Sequence, residues 1–363
     1  MTLRTGKRKL IRIIFILVIV VTACLYPKWY IRQIHKVQGI YYVAKGDNYL
    51  RKTKFHKAIN EYKHGLELYP EHYGAWFNLG NIYVVYEDYY ASIDAYAQAI
   101  KYNPNYVLAR MNYGIISAEK FGDFDSAIEQ YNKVIEIQRK PVYIPFVFNN
   151  LTSYKTNIGL AYYNKGVAYR QKSMYTDADK PDREYNLLKA IEAFKMATKI
   201  MKKDYDSWYN LALAYHLNRD FNLAGLAYCR AIELSPMSYE AHYNLAVLLS
   251  HLKYYKEALK EMQKANNIIS SADGSSNHSR YMFDVMSDVT RNILKDEEGM
   301  KFLTEDNEYE ATSVDGGLIY LNGRVVASEE LDKSMIKSLS KCPSRDFFRD
   351  EDRAEELLDG VFF

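Results

Sequence analysis

The chain has 363 residues, 48 Lys and Arg against 45 Asp and Glu, 48% apolar side chains and 35 Tyr. An apolar content of that size excludes a largely disordered chain. Eight of the basic residues fall in the first 36 positions, where there is no acid, so the remainder holds 40 basic and 45 acidic residues and lacks the broad basic excess of a nucleic-acid binder.

The N-terminus carries Arg4, Lys7, Arg8, Lys9 and Arg12, followed by the uncharged run Ile13 to Tyr26. With Leu10, Ile11 and a snorkelling Arg12, and with Trp29 and Tyr30 in the place of an interfacial aromatic belt, residues 1–30 read as a signal anchor, a single transmembrane helix that is not cleaved. Two other readings stay open. Val21-Thr22-Ala23-Cys24 resembles a bacterial lipobox, in which Cys24 would be lipidated; alternatively the run is a cleaved signal or a buried helix. In the membrane readings the basic cluster stays in the cytoplasm, which puts the protein in the cell membrane with its body on the extracytoplasmic side.

From residue 39 onward a spacing of 34 recurs. Gly46, Gly80 and Gly114 follow it, as do Ala212 and Ala246, and Pro70 and Pro104. Within one period, Trp76, Leu79, Gly80 and Tyr83 share one helical face, Glu87 and Asp88 mark a turn, and Ile93, Tyr96, Ala97, Ala99 and Ile100 form a second stripe before Pro104. Gly80 lowers helix propensity by about 1 kcal/mol, which makes sense where a second helix needs room. The fifth unit repeats the pattern with Trp208, Leu211, Ala212, Tyr215, Ala224, Tyr228, Ala231 and Pro236. Helix pairs of this period and residue pattern resemble the tetratricopeptide repeat (TPR) family.

The resemblance covers residues 39–272 as six repeats and implies an all-α, helix-turn-helix solenoid. The third unit has one extra residue in its turn, and Arg110 stands where Trp76 does in the second; His242 fills the same slot in the sixth, as a packing residue. Insertions lie near 141–158, where Pro141 and Pro145 oppose one continuous helix, and near 171–188, whose polar, proline-bearing sequence reads as an exposed loop. Cys24, Cys229 and Cys342 show neither metal spacing nor an obvious disulfide framework, and Cys229 reads as a small buried residue.

Residues 273–363 form a small mixed C-terminal tail. After a linker, residues 280–344 hold an amphipathic helix (Met282, Met286, Val289, Ile293) suited to capping the solenoid, and a β-hairpin with Asn322-Gly323 in its turn. Residues 345–363, with seven acids and three bases, read as a mobile acidic tail.

No G-x-S-x-G, phosphate-binding glycine loop or H-E-x-x-H occurs, so no enzyme, cofactor or metal is expected. The eight histidines are scattered, and His242 and His251 read as unrelated. One constellation is periodic. Asn78, Asn112, Asn164, Asn210 and Asn244 each stand two residues before the small residue of a first helix, and keep that place through both insertions. The family resemblance implies that this slot faces the concave groove, where such a ladder can hold the backbone of an extended peptide. An amide offers both donor and acceptor to a peptide group. Phe77, Met111, Tyr163, Tyr209 and Tyr243 stand beside the ladder and would add apolar contact. The expectation is a membrane-tethered scaffold that binds an extended segment of a partner protein. The alternative is a lipoprotein or structural component of an envelope complex that uses other faces.

Overall fold

A computed structural model of the protein describes residues 24, 26–139, 151–177, 180–252, 254–271 and 342. Among them are twelve α-helices and no strand: α1 Pro27–Arg51, α2 Phe55–Leu68, α3 Tyr73–Val85, α4 Tyr89–Tyr102, α5 Val107–Phe121, α6 Phe124–Arg139, α7 Leu151–Met174, α8 Pro181–Ile200, α9 Tyr205–Leu217, α10 Phe221–Leu234, α11 Tyr239–His251 and α12 Tyr255–Ser271. Helices pair as the 34-residue period predicts, α1 with α2, α3 with α4, α7 with α8, α9 with α10 and α11 with α12.

Local chemistry sets the helix ends. Asp88 and Asp204 accept from the backbone N–H three residues on, at 3.1 and 2.9 Å, and Ser238 does the same at 3.4 Å. Each such bond satisfies one of the orphan donors of a first turn. The turns inside the helix pairs use left-handed backbone at Thr53, Glu87, Gly122 and Arg219. The extra residue of the third unit, expected in the turn, lengthens the helix instead: α5 has 15 residues against 13 in α3, and only Gly122, at φ 64°, and Asp123 separate it from α6.

Two expectations are corrected. Residues 27–30, assigned to the anchor, belong to α1, a 25-residue helix that starts on Pro27 and carries the first repeat. The loop expected near 171–188 is mostly helix, because α7 runs on to Met174 and α8 starts at Pro181. Proline at the first helical position gives up a donor that would be orphaned anyway, and Asp182 and Glu184 suit the positive end of the dipole. Near 141–158, residues 151–158 are the first turns of α7, and Pro141 and Pro145 lie outside the described residues. No helix among the described residues is long and apolar enough to cross a membrane. The apolar run of the anchor, the capping helix, the hairpin and the acidic tail lie outside the described residues.

The chain divides into two compact units at Ser126 and Ala127. In the first, Val43, Ala58, Tyr62, Leu66, Ala75, Leu79 and Ile82 form a core, with Trp76 and Tyr83 packed on it. Gly80 has the expected reason: a Cβ there would lie 2.6 Å from the Tyr96 ring. In the second unit one core runs from Leu187 to Ile269. Every residue of α9 from Ser207 to His216, and of α11 from Tyr239 to Leu249, is buried. Cys229 is indeed fully buried, but it is joined to Cys342 in a disulfide with Cα atoms 5.5 Å apart. The two lie 113 residues apart, a separation from which no pairing could be read.

Candidate binding surfaces

In the first unit the asparagine ladder works across repeat boundaries. Asn78 Nδ2 donates to Asp47 Oδ1 at 3.1 Å and to the Tyr62 hydroxyl at 3.2 Å, and Tyr62 donates to Asp47 Oδ1 at 2.6 Å. One period later Asn112 Nδ2 donates to Asn81 Oδ1 at 3.0 Å and to the Tyr96 hydroxyl at 3.3 Å, and Tyr96 donates to Asn81 at 2.7 Å. Each triangle ties the first helix of one repeat to both helices of the repeat before. The two acceptors of each amide stand only 2.6 and 2.7 Å apart, so they share one of its hydrogens, and the other hydrogen and the amide oxygen of Asn78 and Asn112 remain for a ligand. Burial raises the pKa of both tyrosines, and the Asp47 carboxylate raises that of Tyr62 further. Asp47 and Asn81 were not singled out in the sequence, although both stand one residue after the small residue of their helix.

Beside these amides lies an aromatic cluster. The Tyr106 ring sits 5.0 Å from Tyr73 and 5.1 Å from Phe77, and Phe77 lies 5.9 Å from Tyr96. Tyr73 is 42% exposed, and Phe77 and Tyr106 are half-buried. Met111, the counterpart of Phe77 in the third unit, is buried.

The second unit differs. Asn210 and Asn244 are at most 1% exposed, and Tyr209 and Tyr243 are fully buried. Asn210 Nδ2 donates to the Asp206 carbonyl at 2.9 Å and to the Tyr163 hydroxyl at 3.4 Å; Asn244 Nδ2 donates to the Tyr209 hydroxyl at 2.8 Å. The ladder therefore switches partner, from the tyrosine of the second helix to the tyrosine next to the preceding asparagine. Leu213 stands here where Asp47 and Asn81 stand in the first unit, so the old acceptor is missing. Burial pushes the Tyr209 hydroxyl well above its usual range. Asn164 and Tyr163 are half-buried. Among the expected site residues, then, Phe77, Asn78 and Asn112 share one partly open region, whereas Tyr209, Asn210, Tyr243 and Asn244 are interior.

The slot of Trp76 obeys a single rule. Its indole Nε1 donates to the carbonyl six residues earlier, Pro70, at 2.7 Å. Arg110 Nε reaches Pro104 at 2.8 Å, Trp208 Nε1 reaches Lys202 at 3.0 Å, and His242 Nε2 reaches Pro236 at 3.0 Å. A side-chain N–H at the right height is what the slot requires, and three residue types supply it. His242 also meets the Glu261 carboxylate at 2.7 Å through Nδ1, both side chains being fully buried, and Lys264 closes the group on Glu261 at 2.7 Å.

His251 pairs not with His242 but with His216, their ring nitrogens 3.4 Å apart at the ends of α11 and α9. The Tyr228 hydroxyl lies 3.5 Å from the other nitrogen of His216. Burial, with His251 adding to it, pushes the His216 pKa down to about 3, and burial lowers that of His251. Among the described residues no group of three His, Cys, Asp or Glu is placed to hold a metal. Cys24 is exposed and unbonded.

Comparison with known proteins agrees with the helical repeats. Profiles described as tetratricopeptide repeat match residues 43–85 and 86–141, and residues 205–236 and 239–271. The chain carries tetratricopeptide repeats, and its described residues form an all-helical fold. It is 24% identical over 226 residues to the BBSome complex member BBS4 of Bos taurus, which covers 62% of this chain and 37% of that protein. It is 24% identical over 241 residues to the peroxisomal targeting signal receptor of Eremothecium gossypii, covering 62% of this chain and 41% of the receptor. The chain thus spans less than half the length of these curated relatives. Among solved structures, PilW, a type IV pilus biogenesis factor, matches with 14% identity and a TM-score of 0.47 over 67% of this chain and 97% of that one.

Proposed function

We propose that the protein is a membrane-tethered scaffold that holds an extended segment of a partner protein on its first unit. The observation that carries this is the aromatic cluster of Tyr73, Phe77 and Tyr106, exposed or half-buried beside the oxygens of Asn78 and Asn112. Rigid aromatic rings supply contact area at low entropic cost, and the amide oxygens accept from a partner's backbone N–H. The repeats support a protein-binding role, since helical-repeat stacks present extended surfaces of this kind. The tether rests on the uncharged run Ile13 to Tyr26 behind five basic residues, with the body on the extracytoplasmic face. The reading includes no enzymatic step.

A second reading, a structural or lipoprotein component of an envelope complex, draws support from the second unit. Tyr209, Asn210, Tyr243 and Asn244 are interior there, so that part of the unit would act through other faces.

The test is site-specific photocrosslinking. A photoreactive residue at Tyr73 is expected to capture a polypeptide in the native membrane, and a peptide of the captured segment should bind the protein. Phe77→Ala should weaken that binding roughly tenfold, in line with loss of an aromatic anchor. If the peptide binds with unchanged affinity, the first-unit surface is not the site. Replacing Cys24 by Ser separates the anchors: loss of membrane attachment would assign it to a lipid on Cys24.

A further inference from the structure

The ladder side of the second unit is covered, and the repeat itself does not supply the cover. Corresponding positions of the first helices can be compared directly. Tyr73 of α3 corresponds to Tyr205 of α9 and Tyr239 of α11, Phe77 to Tyr209 and Tyr243, and Asn81 to Leu213 and Val247. The three positions stand four residues apart and so share one side of the helix. On α3 that side is open, with Tyr73 42% exposed and Phe77 and Asn81 half-buried. On α9 and α11 it is closed: Tyr205 is 7% exposed, Tyr239 is 2%, and the other four are at most 4%. The flanking helices are equivalent, since α3 packs on α2 and α4, α9 on α8 and α10, and α11 on α10 and α12. No further repeat follows α12 among the described residues, yet α11 is as closed as α9. The chemistry follows the burial, because Leu213 and Val247 replace the polar Asn81. This burial arises within a single chain, so the cover is another part of the same chain.

The disulfide indicates which part. Cys229 stands where the exposed Ala97 stands in the second repeat, but it is fully buried and bonded to Cys342, which packs on the second-unit core. α12 ends at Ser271, and the bridge returns the chain to α10, so the stretch 272–341 both leaves and rejoins the second unit. A short turn joins α11 to α12, which puts the end of α12 beside the start of α11, where Tyr239 and Tyr243 stand. Residues 272–280 can reach up to about 30 Å, well beyond the roughly 8–10 Å between neighbouring helices. Directly after them come Met282, Met286, Val289 and Ile293, apolar residues at helical spacing. An apolar stripe gains by burial against another, and the closed side of α9 and α11 offers one.

We infer that residues 281–294 lie against the ladder side of α9 and α11 as an internal ligand, with the Cys229–Cys342 bridge closing the loop that keeps them there. The second unit then carries a binding surface that a partner reaches only by displacing this segment. The inference goes beyond the tether and the first-unit site proposed above, and depends on neither.

The experiment uses the full chain with a diazirine-bearing residue at Met286, and the intramolecular adducts are mapped by mass spectrometry. Adducts within 205–217 or 239–251 are expected. Adducts confined to α12 would overturn the inference in favour of a cap on the last repeat, and adducts to a second copy would overturn it in favour of a dimer contact. Absence of adducts on α9 and α11 would also overturn it. Nitration by tetranitromethane reads the surface itself. Tyr209 and Tyr243 should react several-fold more slowly than Tyr73, and Met286→Asp with Val289→Asp should remove most of that protection while circular dichroism still shows a cooperative melt. Full protection in the folded variant would overturn the inference, and if the variant fails to fold the adduct map decides.

Discussion

Asn78 donates to Asp47 across a repeat boundary, over 3.1 Å, and both meet the Tyr62 hydroxyl. The same triangle recurs at Asn81, Tyr96 and Asn112. An asparagine placed by the repeat period is therefore first a staple between repeats. It serves a ligand only with the oxygen and the one hydrogen that the staple leaves over.

The staples differ in burial, and so should their deletions. Asn78→Ala should lower stability by about 1 kcal/mol, the net worth of a partly exposed hydrogen-bonded group. Asn210→Ala with Asn244→Ala should cost more, about 1–3 kcal/mol at each site, because both amides are buried and the tyrosine hydroxyls they serve, that of Tyr209 fully buried, lose their donors. Thermal melting of the single and double variants checks this. A double variant that melts with the wild type would mean that the second-unit amides are not structural.

Gly80→Ala sets two effects against each other. Alanine gains about 1 kcal/mol of helix propensity. Its Cβ would meet the Tyr96 ring at 2.6–2.7 Å, and Tyr96 is held by its hydrogen bond to Asn81. Overpacking of this kind costs about 1–3 kcal/mol, so the net change should be destabilising. Denaturant midpoints measure it, and a stabilised variant would show that Tyr96 yields freely.

Removal of His242 should be the most damaging single change in the sixth repeat. His242→Ala leaves the Glu261 carboxylate, fully buried, with Lys264 as its remaining ion-pair partner, and strips the Pro236 carbonyl of its donor. Breaking a buried pair from one side costs about 3–5 kcal/mol. His242→Ala with Glu261→Leu should recover part of the loss. Urea titration of the two variants decides it, since equal midpoints would mean that the pair is not coupled.

Acid should loosen the second unit through His216. Its folded pKa is near 3, below the ordinary value of 6.5, so the unfolded chain binds the proton more readily in between. Stability is then fully present above about pH 6.5 and is lost as pH falls toward 3, at up to about 1.4 kcal/mol per pH unit for each proton taken up. His251 adds in the same direction. Melting temperatures measured from pH 7 to 4 should fall, and His216→Phe should flatten the slope. An unchanged slope would locate the acid sensitivity elsewhere.

Most of the fold is legible in the residues. The 34-residue spacing, the small residue at Gly46, Gly80 and Ala212, and the closing prolines define the helix pairs, because helical periodicity and proline geometry are local. The loop expected at 171–188 from its polar, proline-bearing sequence is mostly helix for a local reason too, since proline is favourable at the first position of a helix, where Pro181 stands.

The candidate site was legible only in part. Sequence by itself determined which asparagines are equivalent, since register belongs to the repeat. It also determined that Trp76, Arg110, Trp208 and His242 share a slot. Tertiary structure alone decided what those residues do. Whether an amide at that register faces solvent or the interior depends on what packs over it: Asn78 keeps an open side, and Asn244 has none. The partners of Asn78 and Asn112 come from the preceding repeat, about one period away in the chain, and the pairings of Cys229 with Cys342 and His216 with His251 bridge still longer separations. Hydrogen bonds and burial are set by distance in space, and the local patterns of a helix carry no record of that distance.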